Sequence, residues 1–132
     1  MVATWILTTG VSAILGYRLG LRSQIAAKRL DVKAAMLPLI ETFIARGKGD
    51  IHGWLELRHD CMSLLHDPAV KMKILLSGRK RKRFIEAWES FFSITTEDFH
   101  FPQYNESGEK TEKMRQLFLA RLNALHQAVE DC

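Results

Sequence analysis

Proline, glycine and cysteine are all scarce in this chain. Three prolines and eight glycines among 132 residues disfavour disorder and many-turn β architectures. Alternation of Val, Thr and Tyr is nowhere sustained, so helix is the default expectation. Two cysteines, Cys61 and Cys132, are too few for a disulfide framework. Cys61 is expected as a small buried hydrophobe and Cys132 as part of a frayed tail, both reduced if the body is cytosolic. A large charge excess is also missing. Nineteen Lys+Arg against fifteen Asp+Glu leave a net +4, a balance that says little about nucleic acid, so the placement of the cations carries the information. The chain lacks G-x-S-x-G, a Cys–His arrangement with a sign of a lowered thiol pKa, and the G-x-x-x-x-G-K-[ST] phosphate loop. No catalytic residue, no metal and no cofactor is therefore expected, and the chain is not read as an enzyme.

What is present begins with an apolar run. Val2 to Tyr17 (VATWILTTGVSAILGY) carries no charge and continues through Arg18 to Leu21. Twenty helical residues cover about 30 Å, the thickness of a bilayer's hydrocarbon core. Trp5 and Tyr17 lie near opposite ends, as interfacial rings do, and Arg18 is near enough to the end to reach headgroups. The run is thus expected to be a transmembrane helix over 1–21, with a soluble core helix as the competing reading. Arg18, Arg22, Lys28, Arg29 and Lys33 follow it, against Asp31. The positive-inside rule then puts residues 22–132 in the cytoplasm and the N-terminus outside. The expected location is the bacterial inner membrane, single-pass. Thr8, Ser12, Gly16 and Gly20 recur every four residues, a small-residue face on which two membrane helices can pack, so a homo-oligomer is expected.

Beyond residue 22 the pattern is that of a helical bundle of about four helices, giving an all-α fold. Ile25, Arg29, Val32, Met36, Ile40 and Phe43 form one stripe, with a kink or break expected at Pro38, near Leu37, and a stop at Gly47-Lys48-Gly49. Asp50 is an N-cap candidate for a second helix with Ile51, Trp54, Leu55, Cys61, Met62 and Leu65 inward, closed by Asp67-Pro68. Ala69 to Leu76 is expected to be helical and to end at Ser77-Gly78. Phe84, Trp88, Phe91 and Phe92 give a strong inward face. Residues 93–108 have loop composition. A last helix from Lys110 to Val129 turns Met114, Leu117, Phe118, Arg121, Leu125 and Ala128 inward.

Two constellations stand out. Arg79-Lys80-Arg81-Lys82-Arg83 places five consecutive cations at the start of a helix, where the backbone already carries partial positive charge. A chain that keeps such a run is expected to use it on something anionic: inner-leaflet headgroups, a nucleic-acid backbone or an acidic patch on a partner protein. A solvated face is the alternative. His52, His59 and His66 fall seven apart, and Glu56-Leu57-Arg58-His59 is an E-x-x-H of the di-metal type. A counterpart is offered only by Glu97-Asp98-Phe99-His100, in the expected loop, so these are read as a polar face.

The stretch Leu76-Ser77-Gly78-Arg79-Lys80-Arg81-Lys82-Arg83-Phe84-Ile85-Glu86-Ala87-Trp88 resembles a segment of uncharacterised bacterial small single-pass membrane proteins. Those join a leucine, a basic cluster and a phenylalanine followed by Ala-Trp. The resemblance implies a bacterial or prophage setting and brings no catalytic residue; Phe91 and Phe92 replace the usual aromatic after the tryptophan. The leading expectation is a membrane-anchored interaction or adaptor protein, recruiting or sensing a partner. A membrane-perturbing effector of toxin or phage-defence type, acting by oligomerisation of its first helix, is the alternative. A nucleic-acid-binding module is the third.

Overall fold

The computed structural model describes residues 2–49, 54–95 and 109–132, and their side chains over 17–49, 56–93 and 112–132. Among the described residues there are four helices: α1 (Val2–Lys48), α2 (Trp54–Leu75), α3 (Gly78–Thr95) and α4 (Glu109–Glu130). The sequence's all-α, roughly four-helix expectation holds.

Each helix packs on its two chain neighbours in a closed ring, α1 on α2 and α4, α3 on α2 and α4, with no diagonal pairing among the described residues. Side-chain contacts set the directions. Arg46 near the end of α1 meets Asp60 early in α2 at 2.8 Å. Arg81 near the start of α3 reaches the Lys73 carbonyl late in α2. Phe91 and Phe118 meet at 5.9 Å, their rings tilted by 54°, across α3 and α4, and Lys33 of α1 reaches the Glu130 carbonyl at the end of α4. Successive helices are therefore antiparallel, the up-down-up-down arrangement that short connections favour.

The core follows from stripes at helical spacing. Met36, Ile40 and Phe43 come from α1; Leu57, Cys61, Leu65, Ala69 and Met72 from α2; Phe84, Trp88 and Phe91 from α3; Phe118, Leu122, Leu125 and Val129 from α4; Leu76 closes the α2–α3 turn. All are buried. Val32 and Phe92 lean on this core from its margin, whereas Ile25 is exposed. Leu57, Leu122 and Val129, outside the expected set, complete the stripes of α2 and α4. Ile51, Trp54 and Leu55 lie outside the described side chains, and the Asp50 cap outside the described residues.

Pro38 and Pro68 behave differently from expectation, and Pro102 lies outside the described residues. α1 runs unbroken through Pro38 and α2 through Pro68. A helical proline withholds one donor from the carbonyl four residues back and crowds it. Here those carbonyls belong to Ala34 and Leu64, both exposed, where water can take the place of the missing donor. Buried residues on either side, Met36 and Ile40 for one and Leu65 and Ala69 for the other, hold the helix together across the defect. Thr42 also donates to the Pro38 carbonyl at 2.8 Å. Of the kink or break expected near Leu37, the break does not occur, and the closure at Asp67-Pro68 is corrected likewise.

Gly47 serves packing rather than capping. It is buried inside α1, and a Cβ there would lie 2.8 Å from Leu119 Cδ2 and 3.2 Å from Phe118 Cε1, so α4 approaches α1 where no side chain intervenes. The capping glycine conformation is found at Gly78, whose φ of 63° lies in the left-handed region that other residues enter at a cost. That conformation allows Leu76 and Ser77 alone to join α2 to α3.

The membrane expectation is corrected. Among the described residues no helix is long and apolar enough to cross a membrane. In the described part of α1, Arg18, Arg22, Lys28, Arg29 and Asp31 interrupt the apolar residues. The single-pass inner-membrane placement with a cytoplasmic C-terminal body is withdrawn on that finding. The side chains of 1–16, and with them Thr8, Ser12 and Gly16 of the small-residue stripe, lie outside the described residues. Gly20 faces open space. α1 continues as one helix across the expected 1–21/22–132 boundary.

Candidate partner-binding surface at the basic end of the bundle

Antiparallel packing gathers particular helix ends together. The α4 C-terminus, the α2 C-terminus and the α3 N-terminus share one end of the bundle, the end from which α1 projects. Between residues 17 and 31 of α1 no side chain is fully buried. Residues 17–31 thus form an arm of about 22 Å at 1.5 Å per residue.

Arg79 to Arg83 opens α3 at this end, all five exposed, with no acidic residue in the first turn. The run divides by register. Arg81 turns back to α2 and donates from Nε to the Lys73 carbonyl at 3.1 Å, satisfying one of the carbonyls a helix end leaves open. Arg79, Lys80, Lys82 and Arg83 make no hydrogen bond or ion pair with a described residue. Lys33 does for α4 what Arg81 does for α2, donating to the Glu130 carbonyl. Lys73 sits 6.0 Å from the Trp88 ring centroid, within cation–π reach.

The two basic stretches, far apart in sequence, converge on Cys132. Its thiol donates to the Ala128 carbonyl at 3.0 Å. Burial pushes its pKa up, while the charges of Lys33, Lys80 and Arg29 pull it down. Arg29 and Lys33 of α1 and Lys80 of α3 are therefore close enough to act on one atom. Further out on the arm, Arg22 and Arg18 continue the register of Arg29, because positions 18, 22, 29, 36, 40 and 43 fall on one helical face. The face that buries Met36, Ile40 and Phe43 inside the bundle carries arginines beyond it. The acidic groups of this end include Glu130 and Asp131, which engage His126 at 3.7 Å and Gln127 at 3.0 Å of their own helix.

Neither a family model nor a curated protein nor a solved structure matches this chain.

The other sequence candidates are not brought together. His59 contacts Ser63 at 3.5 Å and His66 contacts Asp67 at 3.5 Å, both exposed, and Glu56 is exposed. His52, Glu97 and His100 lie outside the described residues. Among the described residues no group of three or more metal-ligating side chains forms. Cys61 is fully buried, and its pKa is pushed up to about 12 by burial, with Arg46 lowering and Asp60 raising it by lesser amounts; a thiol held protonated is not a nucleophile. The sequence reading missed His126, whose Nε2 lies 3.1 Å from Glu41 and Nδ1 3.7 Å from Glu130, tying α1 to α4. It also took Arg18, Arg22 and Arg29 as topological flanks. Their shared register with Met36 was the available signal that they form a surface.

Proposed function

We propose that this chain is a helical interaction module that recruits an anionic partner on the basic end of its bundle. The supporting observation is that Lys80 of the basic run lies with the α1 cations Arg29 and Lys33 around Cys132, where Lys33 also reaches the Glu130 carbonyl, with Arg79, Lys80, Lys82 and Arg83 left without an intramolecular counter-charge among the described residues. Cations at a helix N-terminus oppose the helix dipole, each by roughly 0.3–1 kcal/mol within the first turn. An anionic partner would offset that opposition, which water offsets only in part.

Retention on immobilised heparin, a generic polyanion, tests this reading. Wild-type protein is expected to elute at clearly higher salt than a variant with Arg79 to Arg83 replaced by serine, with equal helical circular dichroism. Equal elution of the two would remove the basis of the proposal. The same surface also suits a nucleic-acid backbone.

A further inference from the structure

We infer that the corner between the α1 arm and the basic end of the bundle docks the phosphate backbone of duplex DNA, with the arm laid along a groove. The inference rests on the polyanion-binding reading above and adds the shape and identity of the partner.

Three observations carry it. The first is linear order. Arg18, Arg22, Arg29 and Lys33 occupy one face of a single helix over a rise of about 22 Å. A partner that meets all four needs negative charge at short, regular intervals over that length. Duplex DNA carries one charge per about 1.7 Å of its axis, whereas the acidic residues of a folded protein rarely form so long a file.

The second is shape. Lys80, with Arg79, Lys82 and Arg83 beside it, lies on the end of the bundle, and the arginines of α1 look over that end from the arm. The cations therefore line two surfaces that meet in a corner. A flat sheet of headgroups lying along one of these surfaces leaves the other unmatched. A rod seated in the corner meets both.

The third is the arm itself. Over residues 17–31 no side chain is fully buried, and over 17–25 every described side chain is exposed. The major groove of B-form DNA, about 12 Å wide, admits an α-helix, while the deep, narrow major groove of A-form RNA does not. Arginine guanidinium groups suit phosphate oxygens through their paired donors.

The test is fluorescence anisotropy of the full chain against a labelled 30-base-pair DNA duplex, titrated across 50–300 mM salt, with three variants. In R18Q/R22Q/R29Q the logarithmic salt slope is expected to fall by about 2.7, one phosphate contact per arginine, with at least tenfold weaker binding at 100 mM salt. R79S/K82S/R83S is expected to weaken binding as well. K48Q/K113Q, at the far end, is expected to bind as wild type. Helical circular dichroism of each variant establishes that the fold is kept. An unchanged slope in the arm variant overturns the inference. So does competition by poly-glutamate as effective as by unlabelled duplex, or association with anionic phospholipid vesicles while the duplex stays unbound. Heparin retention together with absent duplex binding overturns this inference alone; absence of both overturns the reading beneath it as well.

Discussion

At the scale of single residues, two glycines and one thiol show how position decides chemistry. Gly78 has open space around its Cα, so its role is purely conformational. Gly78→Ala is expected to cost about 1–2 kcal/mol, the penalty of holding a Cβ in the left-handed region, measured as a lower midpoint in urea. Gly47 is the opposite case: its conformation is ordinary and the space is missing. Gly47→Leu must displace Phe118 and Leu119, and overpacking of that kind costs about 1–3 kcal/mol or more. Cys61 is expected to resist alkylation at pH 8 in the native protein while Cys132 reacts. The pH sign follows from the raised folded value. Below about 9, the unfolded value, both states hold the proton and the group leaves stability unchanged with pH. Above it the unfolded chain releases the proton first, so stability falls as pH rises towards about 12. Thermal midpoints of wild type and Cys61→Ala compared from pH 8 to 10.5 should diverge in slope, the wild type falling faster.

At the scale of elements, most of the fold was legible because burial repeats at the helical period. The file Phe84, Trp88, Phe91 needed no tertiary knowledge, since i, i+4, i+7 spacing of large aromatics has one use in a small helical domain. The stripe Leu57, Cys61, Leu65 was harder to read, because Trp54, Leu55 and Met62 supply competing apolar positions nearby. Proline was misjudged for a physical reason. Its local penalty is visible in sequence, but the exposure of the carbonyl it orphans and the packing of its neighbours are properties of the assembled bundle. It follows that Pro38→Ala restores a hydrogen bond without disturbing the core. This substitution should stabilise the protein by about 1–3 kcal/mol, seen as a higher urea midpoint with the same m-value. Phe91→Ala, by contrast, removes a fully buried ring from the α3–α4 contact and should cost about 3–5 kcal/mol.

At the scale of the whole molecule, the determining fact is which helix ends share an end of the bundle. Up-down-up-down packing brings the α3 N-terminus to the α4 C-terminus and to the base of the arm, and so joins cations at positions 29, 33 and 80 that no sequence window contains. The basic run was conspicuous in sequence, and the register of Arg18, Arg22 and Arg29 with Met36 was readable there too; that Arg29 and Lys33 meet Lys80 at one end was not, because antiparallel packing sets it. Stability and binding should trade against each other here. Arg79→Glu, in the first turn of α3, complements the helix dipole and should raise the thermal midpoint slightly, a gain of about 0.5 kcal/mol, while lowering the salt needed to elute the protein from heparin.

The convergence of the two basic stretches is most directly tested through the thiols. Cys61 is buried and protonated, so a nitroxide attached under native conditions should go to Cys132. Paramagnetic broadening of backbone amide signals would then map what surrounds the α4 C-terminus. Signals of residues 29–33 and of residues 79–83 should both be strongly broadened, with residues 46–48 and 112–115 at the far end retained. Broadening of one basic stretch without the other would contradict the shared basic end.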